Sequence, residues 1–78
     1  MIPIVCTIGN VRAIVGKKGR NMAFIECQDE TGQEECVCFS NQYERYKNIL
    51  ERGKIVEMNV RVQYRDRLSL IINQVKEL

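Results

Sequence analysis

The sequence predicts an all-β fold, a closed barrel of five strands with one short helix between strands three and four. Three observations lead there. Residues 4–39 alternate apolar and polar side chains, interrupted by Gly9, Gly16, Gly19 and Gly32. After Phe39 the apolar period lengthens, with Tyr43, Tyr46, Lys47 and Leu50 at i, i+3, i+4 and i+7. Beyond Gly53 the two-residue alternation returns and runs almost to the end of the chain.

The first strand is expected over Ile4–Val15, where Val5, Thr7, Val11 and Ile14 suit a pleated surface. Gly9 permits a bulge or sharp coil in mid-strand. Residues 16–21 form a loop with two glycines and three cations. The second strand runs from Met22 to Asp29 and turns through Glu30, Thr31 and Gly32 into the third, from Gln33 to Phe39. A helix is expected from Asn41 to Leu50, with Ser40 or Asn41 as its N-cap and Gly53 placed to end it. The fourth strand covers Lys54–Tyr64. Arg65-Asp66 is a two-residue turn, and the fifth strand, Arg67–Val75, puts Leu68, Leu70 and Ile72 on one face. The order β-β-β-α-β-β, taken as a five-stranded antiparallel set, is that of the OB-fold Greek-key barrel, with the helix plugging one end.

At 78 residues the chain is a single domain, residues 1–78, with a small core. The formal net charge of +2 is too low to mark a nucleic-acid binder; only clustered cations could do so. There is no histidine, which removes the commonest general base and metal ligand. No apolar run reaches a membrane span and no signal-peptide pattern is present. Four cysteines without a secretion signal fit reduced thiols and a cytoplasmic location.

Strand alternation assigns the faces. Ala23, Ile25 and Cys27 should line the barrel, and Met22, Phe24, Glu26 and Gln28 should look outward. Cys36 and Cys38 then point inward, leaving Glu35, Val37 and Phe39 outside beside Phe24. The strand-two and strand-three surface is where OB-folds bind oligonucleotides. A cationic lip beside an aromatic supplies what a single strand needs, charge for phosphates and a flat face for an unstacked base.

Each candidate has a plainer alternative. Phe24 is a stacking platform or an ordinary packed aromatic. Lys17, Lys18 and Arg20 contact phosphate or only solvate a loop. Tyr64, Arg65 and Arg67 form the opposite jaw of the groove or a solubilising hairpin tip. Tyr43 and Tyr46 read as packing of the helix onto the barrel. Cys36-x-Cys38 has the wrong spacing for a zinc knuckle and reads as core packing, so no metal or other cofactor is expected. Asp29, Glu30, Glu34 and Glu35 could bind a cation, but solvated turn carboxylates explain them as well. No catalytic set, P-loop or dinucleotide fingerprint is present, so no catalysis is expected of this domain.

Gly16-Lys17-Lys18-Gly19, Met22-Ala23-Phe24, Asp29-x-Thr31-Gly32, Val37-x-Phe39 and Tyr43-Glu44-x-Tyr46 share one pattern with the tail from Gly53-Lys54 through Arg61-Val62 and Arg65-Asp66 to Leu70. Nearly the whole chain thereby resembles the OB domain of the bacterial replicative DNA polymerase III alpha subunit. The wider group, including anticodon-binding domains of class II tRNA synthetases, shares the strand-two aromatic and the turn glycine. The resemblance implies a module that binds single-stranded DNA near a polymerase during DNA replication. Lys17, Lys18 and Arg20 would supply basic contacts and Phe24 the aromatic. Gln33, Glu34, Cys36 and Cys38 depart from the apolar residues usual there. The resemblance leaves two forms open, a domain excised from a polymerase, whose other parts are then its partner, or a small stand-alone relative. The partner expected is single-stranded DNA, with RNA or a docked peptide as alternatives and no membrane. The full set of expected contacts is Lys17, Lys18, Arg20, Phe24, Val37, Tyr64, Arg65 and Arg67.

Overall fold

The computed structural model describes residues 1–64 and 66–78. Its strands are β1 (Ile2–Val15), β2 (Asn21–Asp29), β3 (Gly32–Cys38), β4 (Ile55–Tyr64) and β5 (Leu68–Glu77), with a helix α1 (Ser40–Tyr46) between β3 and β4. They close into a barrel in the order β1-β2-β3-β5-β4. The expected all-β, five-stranded barrel with one short helix is the observed fold, but not every pairing is antiparallel. β5 closes on β3 in parallel, through Cys36–Leu70 and Val37–Ile71. The helical connection carries the chain across the barrel end, so β4 returns beside β1 and its hairpin partner runs with β3.

β1 is shared by two neighbours. Its first half pairs with β4 from Ile2–Val60 to Thr7–Ile55, and its second half with β2 from Thr7–Gln28 to Val15–Asn21. The register slips between Ile8 and Val11, a bulge that bends the strand around the barrel. Gly9 sits in that bulge for a steric reason: a Cβ there would collide with the Glu26 carboxylate. A second slip in β5 between Ile72 and Gln74 lets Ile72 and Val75 both face inward.

The inward alternation holds as expected. Ala23, Ile25, Cys36 and Cys38 are fully buried, and Cys6 and Cys27 are each 4% exposed. With Ile8, Val56, Met58 and Val60 they form one core. The Cys27 Sγ lies 3.5 Å from Cys36 Sγ and 3.8 Å from Met58 Sδ. Hydrogen bonding to Cys36 and Cys6, then burial, pushes the Cys27 thiol up; burial lifts that of Cys38 to about 11. Cys27 and Cys38 therefore stay protonated. Among the described residues no cluster of Cys, Asp or Glu is arranged to hold a metal ion, and no helix is long and apolar enough to cross a membrane.

The helix is shorter than its apolar period implied. It ends at Tyr46, not Leu50, and tightens into a turn in which Ile49 N–H and Leu50 N–H both donate to Tyr46 O, at 2.9 and 3.1 Å. That turn drops Leu50 into the core while Tyr43, Tyr46 and Ile49 pack against it. The N-cap is Phe39, without a side-chain bond, rather than Ser40 or Asn41. Gly53 does not end the helix. At φ +91° it reverses the chain into β4, donating to Ile8 O at 2.8 Å while Ile8 N–H donates to Lys54 O at 2.8 Å. Leu70 and Ile72 pack inward, but Leu68 is 61% exposed because the β4–β5 hairpin runs past the barrel end.

Candidate nucleic-acid interface

Five strands side by side place one residue each in a row across the outside of the barrel. Arg12 of β1 pairs with Phe24, Phe24 with Val37, Val37 with Ile71, and Ile71 with Arg61 of β4. An arginine therefore stands at each end of a strip made of Phe24, Val37 and Ile71. Ile71 is only 7% exposed yet lies outside the barrel core, since its neighbours Leu70 and Ile72 take the inward positions. One step toward the β1–β2 loop, Ile14 pairs with Met22, and Phe39, 45% exposed, follows Cys38 on β3. One step the other way, Glu26 pairs with Glu35.

Like charges opposite one another repel. Here each carboxylate has a partner: Gln28 Nε2 donates to Glu26 Oε1 at 2.8 Å, and Arg12 lies 3.8 Å from Glu35. The Arg12 guanidinium also covers the Phe24 ring, 4.6 Å from its centroid. An exposed ion pair and an exposed cation–π contact are each worth about 1 kcal/mol or less. Their consequence is placement of the arginine rather than stability.

Two grooves meet at the Phe24–Val37 pair. The larger, about 450 Å³, has a floor of Val37, Phe39 and Ile71 and a rim of Gln63, Asp66, Arg67 and Ser69. The other, about 350 Å³, is bounded by Arg12, Phe24, Glu26 and Glu35. Of the residues expected at the site, Val37 and Arg67 line the first groove and Phe24 the second. Lys17, Lys18 and Arg20 line neither. They are exposed on a 3₁₀ turn, Lys17–Gly19, at the Phe39 end of the strip, where Val15 pairs with Asn21 and Ala23 with Cys38. Arg20 borders a separate shallow cleft with Ser40, Asn41 and Glu44. Tyr64 is 74% exposed and pairs with Leu68, on the hairpin face opposite the Gln63–Ser69 pair that lines the groove. Arg65 lies outside the described residues.

Arg12, Arg61 and Ile71 belong to the strip and were not among the expected contacts. The bulge at Gly9 shifts the parity of β1, so counting from Thr7 does not place Arg12 outward beside Phe24. Ile71 had a usable signal, since the alternation that puts Leu68, Leu70 and Ile72 on one face leaves Ile71 on the other. Arg61 had a usable signal, since it stands between the inward Val60 and the apolar Val62.

The family model for the tRNA anticodon-type OB-fold nucleic acid binding domain matches residues 5–78. The chain belongs to this OB-fold nucleic acid binding domain family. The DNA polymerase III subunit alpha of Staphylococcus aureus (strain N315) is 30% identical over 77 residues, 97% of this chain and 7% of that protein. Its counterpart in Bacillus subtilis (strain 168) is 29% identical over 72 residues, 91% of this chain and 6% of that protein. This OB-fold domain thus spans under a tenth of the length of those relatives. The centre of its outer strip, Phe24 and Val37, lies on β2 and β3, strands whose face binds oligonucleotides in other OB-folds.

Proposed function

We propose that this OB-fold domain binds single-stranded nucleic acid across the strip, and that its ligand is single-stranded DNA. The observation that carries the reading is the row Arg12, Phe24, Val37, Ile71 and Arg61, an apolar strip with a guanidinium at each end. Bases stack on aromatic and guanidinium planes, and cations beside them take the phosphates. Lys17, Lys18 and Arg20 border the strip at one end and Arg67 lines the groove beside it. Glu26 and Glu35 make a path along the β2–β3 hairpin unfavourable for phosphates, so the strand crosses the sheet. Tyr64, at the end of β4, is an outlying contact in this reading, and Arg65 is retained as a further one.

DNA is preferred over RNA because the relatives are named as DNA polymerase III alpha subunits. The domain would then act in the cytoplasm within or beside such a subunit, holding template without catalysing synthesis itself. The family's anticodon-type description supports RNA as the second reading. A titration of labelled oligo-dT, oligo-U and duplex across a salt series tests the assignment. The expected result is binding to oligo-dT that weakens as salt rises, with oligo-U and duplex bound less well. Undetectable binding to every oligonucleotide at low salt contradicts it and leaves peptide docking as the better reading.

A further inference from the structure

The smaller groove has a chemistry of its own. One wall is the Arg12 guanidinium lying over the Phe24 ring, 4.6 Å from its centroid, two planar groups that offer a base a stacking surface. Beside it stand two carboxylates, Glu26 and Glu35. Glu26 is fixed by Gln28 at 2.8 Å and occupies the space that a side chain at Gly9 would need. Among the described residues Glu35 is tethered by Arg12 alone, at 3.8 Å, with both side chains more than half exposed, 64% and 58%. Water screens such a pair, so Glu35 can turn to a ligand.

We propose that this cleft reads one nucleobase, and that it favours a base carrying an exocyclic amine, cytosine over thymine. The proposal rests on the single-strand reading above and adds base preference to it. A base stacked on the Arg12 plane presents its edge to Glu26 and Glu35. Ionised carboxylates only accept hydrogen bonds. Cytosine donates from its N4 amine at the position where thymine offers the O4 acceptor. At that position thymine would bring acceptor against acceptor, and its one donor, N3–H, lies between two carbonyl oxygens that the carboxylates repel. The same carboxylates repel phosphate, so the cleft admits a base while the backbone stays near Lys17, Lys18 and Arg20. Arg12 serves as a stacking plane because its charge is already opposed by Glu35.

The test is fluorescence anisotropy with labelled oligo-dC and oligo-dT of equal length, at pH 7.5 and low salt, on the full chain. The parent should bind oligo-dC about five-fold or more tightly than oligo-dT. The double variant Glu26→Gln/Glu35→Gln should bring that ratio near one, because an amide can donate as well as accept. Arg12→Lys keeps the charge but loses the plane; it should weaken both oligonucleotides and leave the ratio in place. The variants are at outward positions, and the parent's own ratio is informative without them. Equal binding of the two by the parent, or a ratio unmoved in the double variant, overturns the base-reading cleft while single-strand binding stands. Binding of neither oligonucleotide overturns both.

Discussion

Phe24 lines the smaller groove and pairs with Val37 of the larger one, and its chemistry separates two kinds of contribution. Its ring backs the Arg12 guanidinium against which a base would stack, and it carries no charge. Phe24→Ala should therefore weaken binding to single-stranded DNA by about 1–3 kcal/mol while leaving the salt dependence nearly unchanged. An affinity equal to the parent's would remove Phe24 from the interface. Asp29 behaves differently, as a structural carboxylate. Thr31 Oγ1 donates to it at 2.6 Å and Thr31 N–H at 2.8 Å, and these bonds hold its carboxyl below the ordinary value of 3.8. A depressed folded value means that the carboxylate stabilises the hairpin turn fully above pH 3.8, and that this is lost as pH falls through the folded value. The stability gap between the parent and Asp29→Ala, measured by urea unfolding, should stay constant down to about pH 4 and close below it. A gap that persists to pH 2 would show that the turn does not depend on the ionised form.

At the scale of elements, the β1–β2 connection and the β2–β3 sheet have separable roles. The 3₁₀ turn presents Lys17 and Lys18 to solvent, and in the proposed reading they contribute charge rather than a fixed contact. Each phosphate contact on a single strand adds roughly 0.7 to the slope of log affinity against log salt. Lys17→Ala/Lys18→Ala should flatten that slope by up to about 1.4, the opposite signature to Phe24→Ala. An unchanged slope would assign the turn to solvation alone. The strands and their faces were legible because alternation is strict where one face is buried: Ala23, Ile25, Cys36 and Cys38 need no further information. The end of α1 was not legible, because Leu50 continues the helical period yet reaches the core through a turn in which Ile49 and Leu50 N–H share the Tyr46 carbonyl. The bulge at Gly9 was visible as a possibility, but its effect on Arg12 depends on how many residues it displaces. The parallel closure of β3 on β5 is a property of the path around the barrel, which no local pattern encodes.

At the scale of the whole molecule, a net charge of +2 conceals a separation of charge. Lys17, Lys18 and Arg20 lie at one end of β2, and Asp29, Glu30 and Glu34 lie around the turn at the other. Total charge is therefore uninformative about function, while in the proposed reading the distribution draws phosphates toward the Lys17–Arg20 end. Barrel closure has a test in the thiols. All four cysteines are 4% exposed or less, and burial holds Cys38 at about 11. An aromatic disulfide reagent at pH 8 should react with none of them quickly in the native protein and with all four in urea. One fast native thiol would show that the barrel opens locally. The central claim, that nucleic acid crosses the Arg12–Phe24–Val37–Ile71–Arg61 strip, is tested most directly by following backbone amide shifts during titration with a short single-stranded oligonucleotide. Shifts should concentrate at 12–24, 35–39, 61–63 and 66–71, and spare the opposite β1–β4 wall at Val5, Ile55 and Glu57. Shifts centred on that opposite wall, with the strip unmoved, would contradict the account.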